Sequence, residues 1–248
     1  MSIWESGNFY IIRILIIPNS VQLEVATIQI IESRKYEPTH HYRCRGWGRE
    51  VFAAAKGTRA YRSGEFAIKG FLDSKTDALV GLKGTYPPVL CAPEDYTIQP
   101  DDVFFVAMGE PKWRKYYAEM FEQKGARFMT IICDGSYVNP TATIGEGSFV
   151  AGWSCISDNV VLGKHTIIHT FCDLGHDAQV GDYSSIEAYA FLGGYAKMGQ
   201  ESVMHVRSTL IRHKSIGNQV EVGASSVVMR NVQDGMHVFG NPAKRIDY

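Results

Sequence analysis

The sequence predicts two units in series, a small Rossmann-like α/β domain followed by a parallel β-helix. Three observations predict this. Every sixth residue from Val138 through Ile144 and Val150 to Val228 is Val, Ile, Leu or Met, sixteen positions without a miss. The next position is often glycine, as at Gly145, Gly163, Gly175 and Gly193, and the fourth after is nearly always small or β-branched, only Lys214 breaking that column. Upstream of Val138 the rhythm changes to short apolar runs around one helix-like segment.

Taken in order, Tyr10–Pro18 is the nearest approach to a membrane anchor or signal. It is too short to span a bilayer, and Trp4 and Glu5 stand where a signal peptide has basic residues, so the expected location is the cytoplasm. Gly46-Trp47-Gly48-Arg49-Glu50-Val51 reads as the end of a glycine-rich turn entering a helix. Phe66–Leu72 is an apolar strand ending in Asp73, and Asp73–Pro93 is a Gly- and Pro-rich loop. Val103–Met108 is a second strand, Lys112–Lys124 a helix, and Ala126–Cys133 a third strand leading into the repeat. Strand, helix, strand at this spacing implies a small parallel sheet. The boundaries are thus an extension at 1–35, an α/β domain at 36–133, the β-helix at 134–232 and a closing segment at 233–248.

A period of six fits neither a helix of 3.6 residues per turn nor simple strand alternation. It fits a coil of triangular section in which each side carries one short strand and one turn, with one large residue per side pointing to the axis. Three hexads make a coil, so sixteen give about five coils. Small residues belong where the sides crowd together, and Gly, Asn and Asp suit corners with positive φ.

Composition narrows the function. At 248 residues, 45% hydrophobic and 21% charged, with a formal net charge of -1, the chain gives no electrostatic argument for nucleic acid or an anionic membrane. The five cysteines are odd in number and contain no CxxC pair, so they read as reduced thiols and neither a disulfide frame nor a zinc site.

The turn at Gly46–Val51, GFLDS at Gly70–Ser74, NPTATIGEG at Asn139–Gly147, LGHDAQVGD at Leu174–Asp182 and GNPAK at Gly240–Lys244 occur in one order. In that order they resemble the sialic acid O-acetyltransferase and nucleotide-amino-sugar N-acetyltransferase family of hexapeptide-repeat proteins. The resemblance implies a left-handed β-helix, a homotrimer, acetyl-CoA as co-substrate in a groove between neighbouring β-helices, a sugar acceptor, and no metal. It implies that His176, paired with Asp177, is the catalytic base. It also implies that the backbone at Gly194, eighteen residues on, stabilises the thioester oxygen, that Val206 contacts acetyl-CoA, and that Gly46, Gly48 and Asp73 hold the nucleotide sugar. The chemistry agrees: an amine or hydroxyl attacking a thioester must lose a proton, and imidazole with its ordinary pKa of about 6.5 accepts one near neutrality. His169 is a candidate lining residue of the same groove. His165, His205, His213 and His237 are expected as surface residues of β-helix turns, and Asp73 is equally suited to capping a turn.

The preferred reading is N-acetylation of an amino sugar carried on a nucleotide; the alternative is O-acetylation of sialic acid or another surface-glycan sugar. A zinc hydratase of γ-carbonic-anhydrase type pairs two histidines five apart, whereas here His169 and His176 are seven apart and His176 and His205 twenty-nine. A non-catalytic scaffold has no use for the His-Asp pair.

One stretch departs from the family. Its members place an apolar strand and further glycines before the turn, where this chain has His40-His41-Tyr42-Arg43-Cys44-Arg45. Encoded as CAT CAT TAT CGG TGC AGG and read one base later, these residues become Ile-Ile-Ile-Gly-Ala-Gly. The same shift through Lys35–Thr39 yields a start codon followed by Asn-Leu-Leu. Residues 1–45 are therefore expected to be a misframed reading of the true first strand and its upstream DNA, which the nucleotide sequence of the gene decides.

Overall fold

The computed structural model describes residues 26–31 and 46–246. The α/β unit holds four parallel strands, β1 (Ala26–Ile31), β2 (Phe66–Leu72), β3 (Val89–Cys91) and β4 (Asp102–Val106), in the order β3-β2-β1-β4. Helix α1 (Trp47–Gly57) buries Val51, Phe52 and Ala55, the face that helical spacing gives it. Thr58 closes it and caps the short α2 (Arg59–Arg62) by accepting from the Tyr61 N–H at 3.2 Å. Helix α3 (Pro111–Gln123) starts on a proline, whose missing N–H costs nothing at a first turn, and buries Tyr117, Ala118 and Phe121 against β4.

The strand between β2 and β4 comes from residues 26–31, inside the segment read from the sequence as an extension. The run His40–Arg45, where the shifted frame places the first strand, lies outside the described residues, as does most of 1–45. Ala126–Cys133 does not add a strand to this sheet: Phe128 bridges to Phe104 of β4, and Ile131–Ile132 already belongs to the solenoid.

The second unit is a parallel β-solenoid of two-residue strands on three faces. One face stacks five strands, from Thr143–Ile144 to Ser215–Ile216, and another six, from Tyr137–Val138 to Val227–Val228. The third carries seven parallel strands, from Ile131–Ile132 to His237–Phe239, with Lys244–Arg245 added antiparallel. The expectation of about five coils falls short at both ends. Ile132 extends the aliphatic column one hexad upstream, and the last coil is shortened, so that Val238 pairs with Val222 sixteen residues before it instead of eighteen and drops out of step. Aliphatic residues from Val138 to Val238 fill the axis as one continuous core.

The small-residue columns have sharper reasons than crowding alone. The glycines that follow the aliphatic column do not carry the positive φ expected of corners: a Cβ on Gly175 would stand 2.6 Å from the backbone nitrogen of Gly194, and one on Gly181 2.5 Å from that of Gln200. Coil-to-coil approach excludes the side chain. The left-handed residue falls two positions later and is usually not glycine, as at Tyr183, Tyr195 and His213, with φ of 60°, 60° and 59°. The serines bridge coils. Ser184 Oγ donates to the Gly199 carbonyl at 2.7 Å and accepts from the Ser202 N–H at 3.0 Å, and Ser202 repeats this with Gly217 and Val220. A buried corner N–H that misses the strand ladder thereby gains a partner.

The two units join through a fully buried arginine. Arg114 of α3 donates to the carbonyls of Met108 (2.6 Å) and Gly109 (3.0 Å) on its own domain, and to the carbonyls of His165 (2.8 Å) and Tyr183 and the Ser185 hydroxyl (2.8 Å) on the solenoid. No carboxylate pairs with it among the described residues, and burial pushes its pKa down to about 9. His165, expected at the surface, is completely buried here. It stacks on Tyr183 at 5.4 Å and meets Phe128 edge-on, and desolvation, with Arg114 nearby, lowers its pKa to about 3. The α/β unit lands on this corner, which hexad counting alone cannot know.

Candidate active site

Each coil turns three corners, and the sequence arithmetic stacks residues eighteen apart. On one corner this brings together Asp158 and Asn159, His176 and Asp177, Gly194 and Tyr195, and Arg212 and His213. A backbone ladder fixes the stack: the Asp177 N–H donates to Asp158 O (2.9 Å), Tyr195 N–H to His176 O (2.9 Å), and His213 N–H to Gly194 O (3.0 Å). His176 and its neighbours are thus held by the coil spacing and not by a flexible loop.

His176 Nδ1 pairs with Asp177 Oδ2 at 2.8 Å. Asp177 sits at φ 60°, a left-handed conformation that Asp tolerates, and this geometry lets a carboxylate face the ring of its own predecessor. The hydrogen bond with His176, aided by Asn159 at 3.5 Å and by Tyr195, holds the Asp177 carboxyl below its ordinary pKa. The imidazole remains largely accessible, its side chain 57% exposed.

Gly194 lies one coil above the ring. A Cβ there would stand 2.8 Å from His176 Nε2, so only glycine leaves that nitrogen open space. Its N–H has no hydrogen-bond acceptor among the described residues. The equivalent N–H on the next corner is capped from the following coil by an acceptor side chain, Lys164 by Asp182 Oδ1 (2.8 Å) and Gln200 by Asn218 Oδ1 (3.0 Å). Above Gly194 the matching residue is Arg212, which has only donors, so the N–H stays free beside the Nε2 of His176.

The other sequence candidates fall elsewhere. Val206 and His169 occupy an adjacent corner, the strand Asp173–Leu174 separating His169 from His176 in the chain. The Val206 N–H is already engaged by Glu187 Oε2 at 3.1 Å. His169 packs against Trp47 at 4.6 Å, so it meets the first residue of α1, and desolvation lowers its pKa. Gly46 precedes that helix, whereas Gly48 is buried inside its first turn. Asp73 follows β2, is mostly buried, and accepts from the Lys75 N–H at 2.8 Å, which makes it a turn cap whatever else it binds.

Of the remaining histidines, His213 is exposed on the His176 corner, stacked on Tyr195 at 4.8 Å. His205 is not a solvated turn residue. It is half-buried, with Nε2 2.6 Å from Glu221 Oε1 and Nδ1 3.2 Å from Glu187 Oε2, and these carboxylates raise its pKa to about 9. Sequence reading missed this ladder and the roles of Asn159 and Tyr195. Reading the columns at intervals of eighteen would have found Asn159 and Tyr195, since they flank Asp177 on either side.

Among the described residues no group of three or more His, Cys, Asp or Glu is placed to hold a metal ion, no cysteine is in a disulfide, and no helix is long and apolar enough to cross a membrane. No family model and no curated protein matches the chain. Solved structures do. The acetyltransferase domain of PglB from Neisseria gonorrhoeae, in complex with acetyl coenzyme A, is 25% identical with a TM-score of 0.77, the match covering 90% of this chain and 100% of that one. PerB from Caulobacter crescentus, in complex with CoA and GDP-perosamine, is 21% identical with a TM-score of 0.73 over 92% of this chain and 100% of its own. WeeI from Acinetobacter baumannii is 20% identical with a TM-score of 0.64 over 89% and 99%. In the order of its motifs, its solenoid and the extent of these matches, the chain is similar to the acetyltransferases of the left-handed β-helix, hexapeptide-repeat kind.

Proposed function

We propose that the chain transfers the acetyl group of acetyl-CoA to the amine of an amino sugar carried on a nucleotide, with His176 as general base. The observation that carries this reading is the open face of His176: Nδ1 tied to Asp177 at 2.8 Å, Nε2 facing the space that Gly194 leaves. With Nδ1–H donating to Asp177, the lone pair sits on Nε2. The acceptor amine attacks the thioester carbonyl, a C–N bond forms, and Nε2 takes the amine proton; the C–S bond then breaks and that proton goes to the departing thiolate. Asp177 stabilises the imidazolium in between. The free N–H of Gly194 donates to the carbonyl oxygen as it gains negative charge.

The Rossmann-like unit grips the nucleotide at the ends of its strands, with Gly46 and Gly48 at the start of α1 and Asp73 beyond β2. Val206 and His169 stand on the corner next to His176, so in a homotrimer a neighbour's copy of that corner closes the groove for acetyl-CoA. Support for a nucleotide-linked amine comes from PerB, whose complex contains CoA and GDP-perosamine. The test is release of free CoA from acetyl-CoA with UDP-, GDP-, dTDP- and CMP-linked amino sugars, against the matching hydroxy sugars. Amino-sugar-dependent release that disappears in His176→Ala is expected. Turnover with hydroxy sugars alone would reassign the enzyme to O-acetylation, and activity surviving His176→Ala would remove the proposed base.

A further inference from the structure

The coil spacing places Tyr195 eighteen residues after Asp177, on the residue next to Gly194. Its ring meets the imidazole of His176 edge-on, with centroids 5.0 Å apart and planes at 88°. Its other side is backed by His213, stacked at 4.8 Å and 5°. Its backbone N–H is bound to His176 O at 2.9 Å, so ring and main chain both fix it to the coil below.

From this geometry we infer that Tyr195 is a positioning residue for the proposed reaction, walling the imidazole of His176 so that Nε2 stays aimed at the space beneath Gly194 and presenting its hydroxyl to Asp177. Asp177 is held by Asn159 from the coil below at 3.5 Å and by His176 beside it at 2.8 Å, and Tyr195 on the coil above helps lower its pKa. An exposed imidazole on a solenoid corner is otherwise free to rotate about its side-chain bonds. A carboxylate anchor alone fixes one ring nitrogen, whereas an anchor and a wall fix the plane. The inference rests on the role proposed for His176, and its experiment separates the two.

The full-length protein and its Tyr195→Phe and Tyr195→Ala variants are compared in two measurements. The first, without substrate, follows the Asp177 carboxyl carbon by NMR as pH is lowered; Tyr195→Phe, which keeps the wall and removes the hydroxyl, should move that titration to higher pH. The second measures kcat and the acetyl-CoA KM. About a threefold to tenfold loss of kcat is expected for Phe and a larger loss for Ala, with KM unchanged and thermal unfolding at the wild-type temperature. An unmoved Asp177 titration in the Phe variant overturns the inference, as does a raised KM at unchanged kcat, which would make Tyr195 a donor-binding residue. If the wild type acetylates no amino sugar, the proposed function fails while the titration still decides the Tyr195 contact.

Discussion

Gly194 is the roof of His176: a Cβ on the glycine would stand 2.8 Å from Nε2 and 3.1 Å from Cε1 of the imidazole one coil below. Gly194→Ala should therefore push the ring aside while leaving the solenoid folded, because the glycine has no left-handed φ to lose. A fall in kcat/KM of about 100-fold with an unchanged unfolding temperature is the expected outcome, read from CoA release and calorimetry.

Asp177→Asn retains a residue that tolerates φ 60° but removes the charge that offsets the imidazolium. The expected loss in kcat is roughly 10- to 100-fold with acetyl-CoA affinity preserved. Equal kcat in the two proteins would leave Asp177 as a turn residue only.

Buried His165 makes the fold sensitive to acid. Its folded pKa of about 3 lies below the unfolded value of 6.5, so between these the unfolded chain binds a proton that the folded chain does not. Stability then rises with pH across that window, by at most about 1.4 kcal/mol per pH unit from this group. Urea unfolding between pH 4 and 7 should show a shallower slope in His165→Phe, and parallel slopes would contradict the assignment.

His205 acts in the opposite sense. Glu187 and Glu221 raise its pKa to about 9, so its contribution is complete below pH 6.5 and is lost as pH rises through 9. His205→Gln should remove that alkaline loss, and unfolding midpoints at pH 6, 8 and 9.5 measure it.

Arg114→Met should be severe. It strips donors from four carbonyls, three of them buried, and from the buried Ser185 hydroxyl at the junction of the two units, a cost of about 3 kcal/mol or more. Arg114→Lys should rescue little, since one ammonium cannot reach both coils and the end of β4. Chemical denaturation reads both.

The solenoid is legible in the sequence because its rule is local. An inward residue every six is required for any three-sided coil, and the run from Val138 to Val228 could not serve another period. Legibility ends where the rule changes, at the sixteen-residue step from Val222 to Val238. The corner glycines are also explained differently in three dimensions. Gly175 is small because the next coil's backbone lies 2.6 Å from where its Cβ would be, a distance no one-dimensional pattern contains. The histidines divide the same way. His176 stands out by its motif, whereas His165 looks like a surface residue in sequence because its burial depends on where a separate domain lands.

The sequence alone determined the β-solenoid and its place after an α/β unit, because the change of rhythm follows from spacing along the chain, and the resemblance of its motifs singled out His176 with Asp177. The tertiary structure decided which N–H stays uncapped at Gly194, which ring walls the imidazole, and that Arg114 fastens one unit to the other. These depend on residues one coil apart or in different domains, brought within hydrogen-bonding distance only when the chain is coiled and docked.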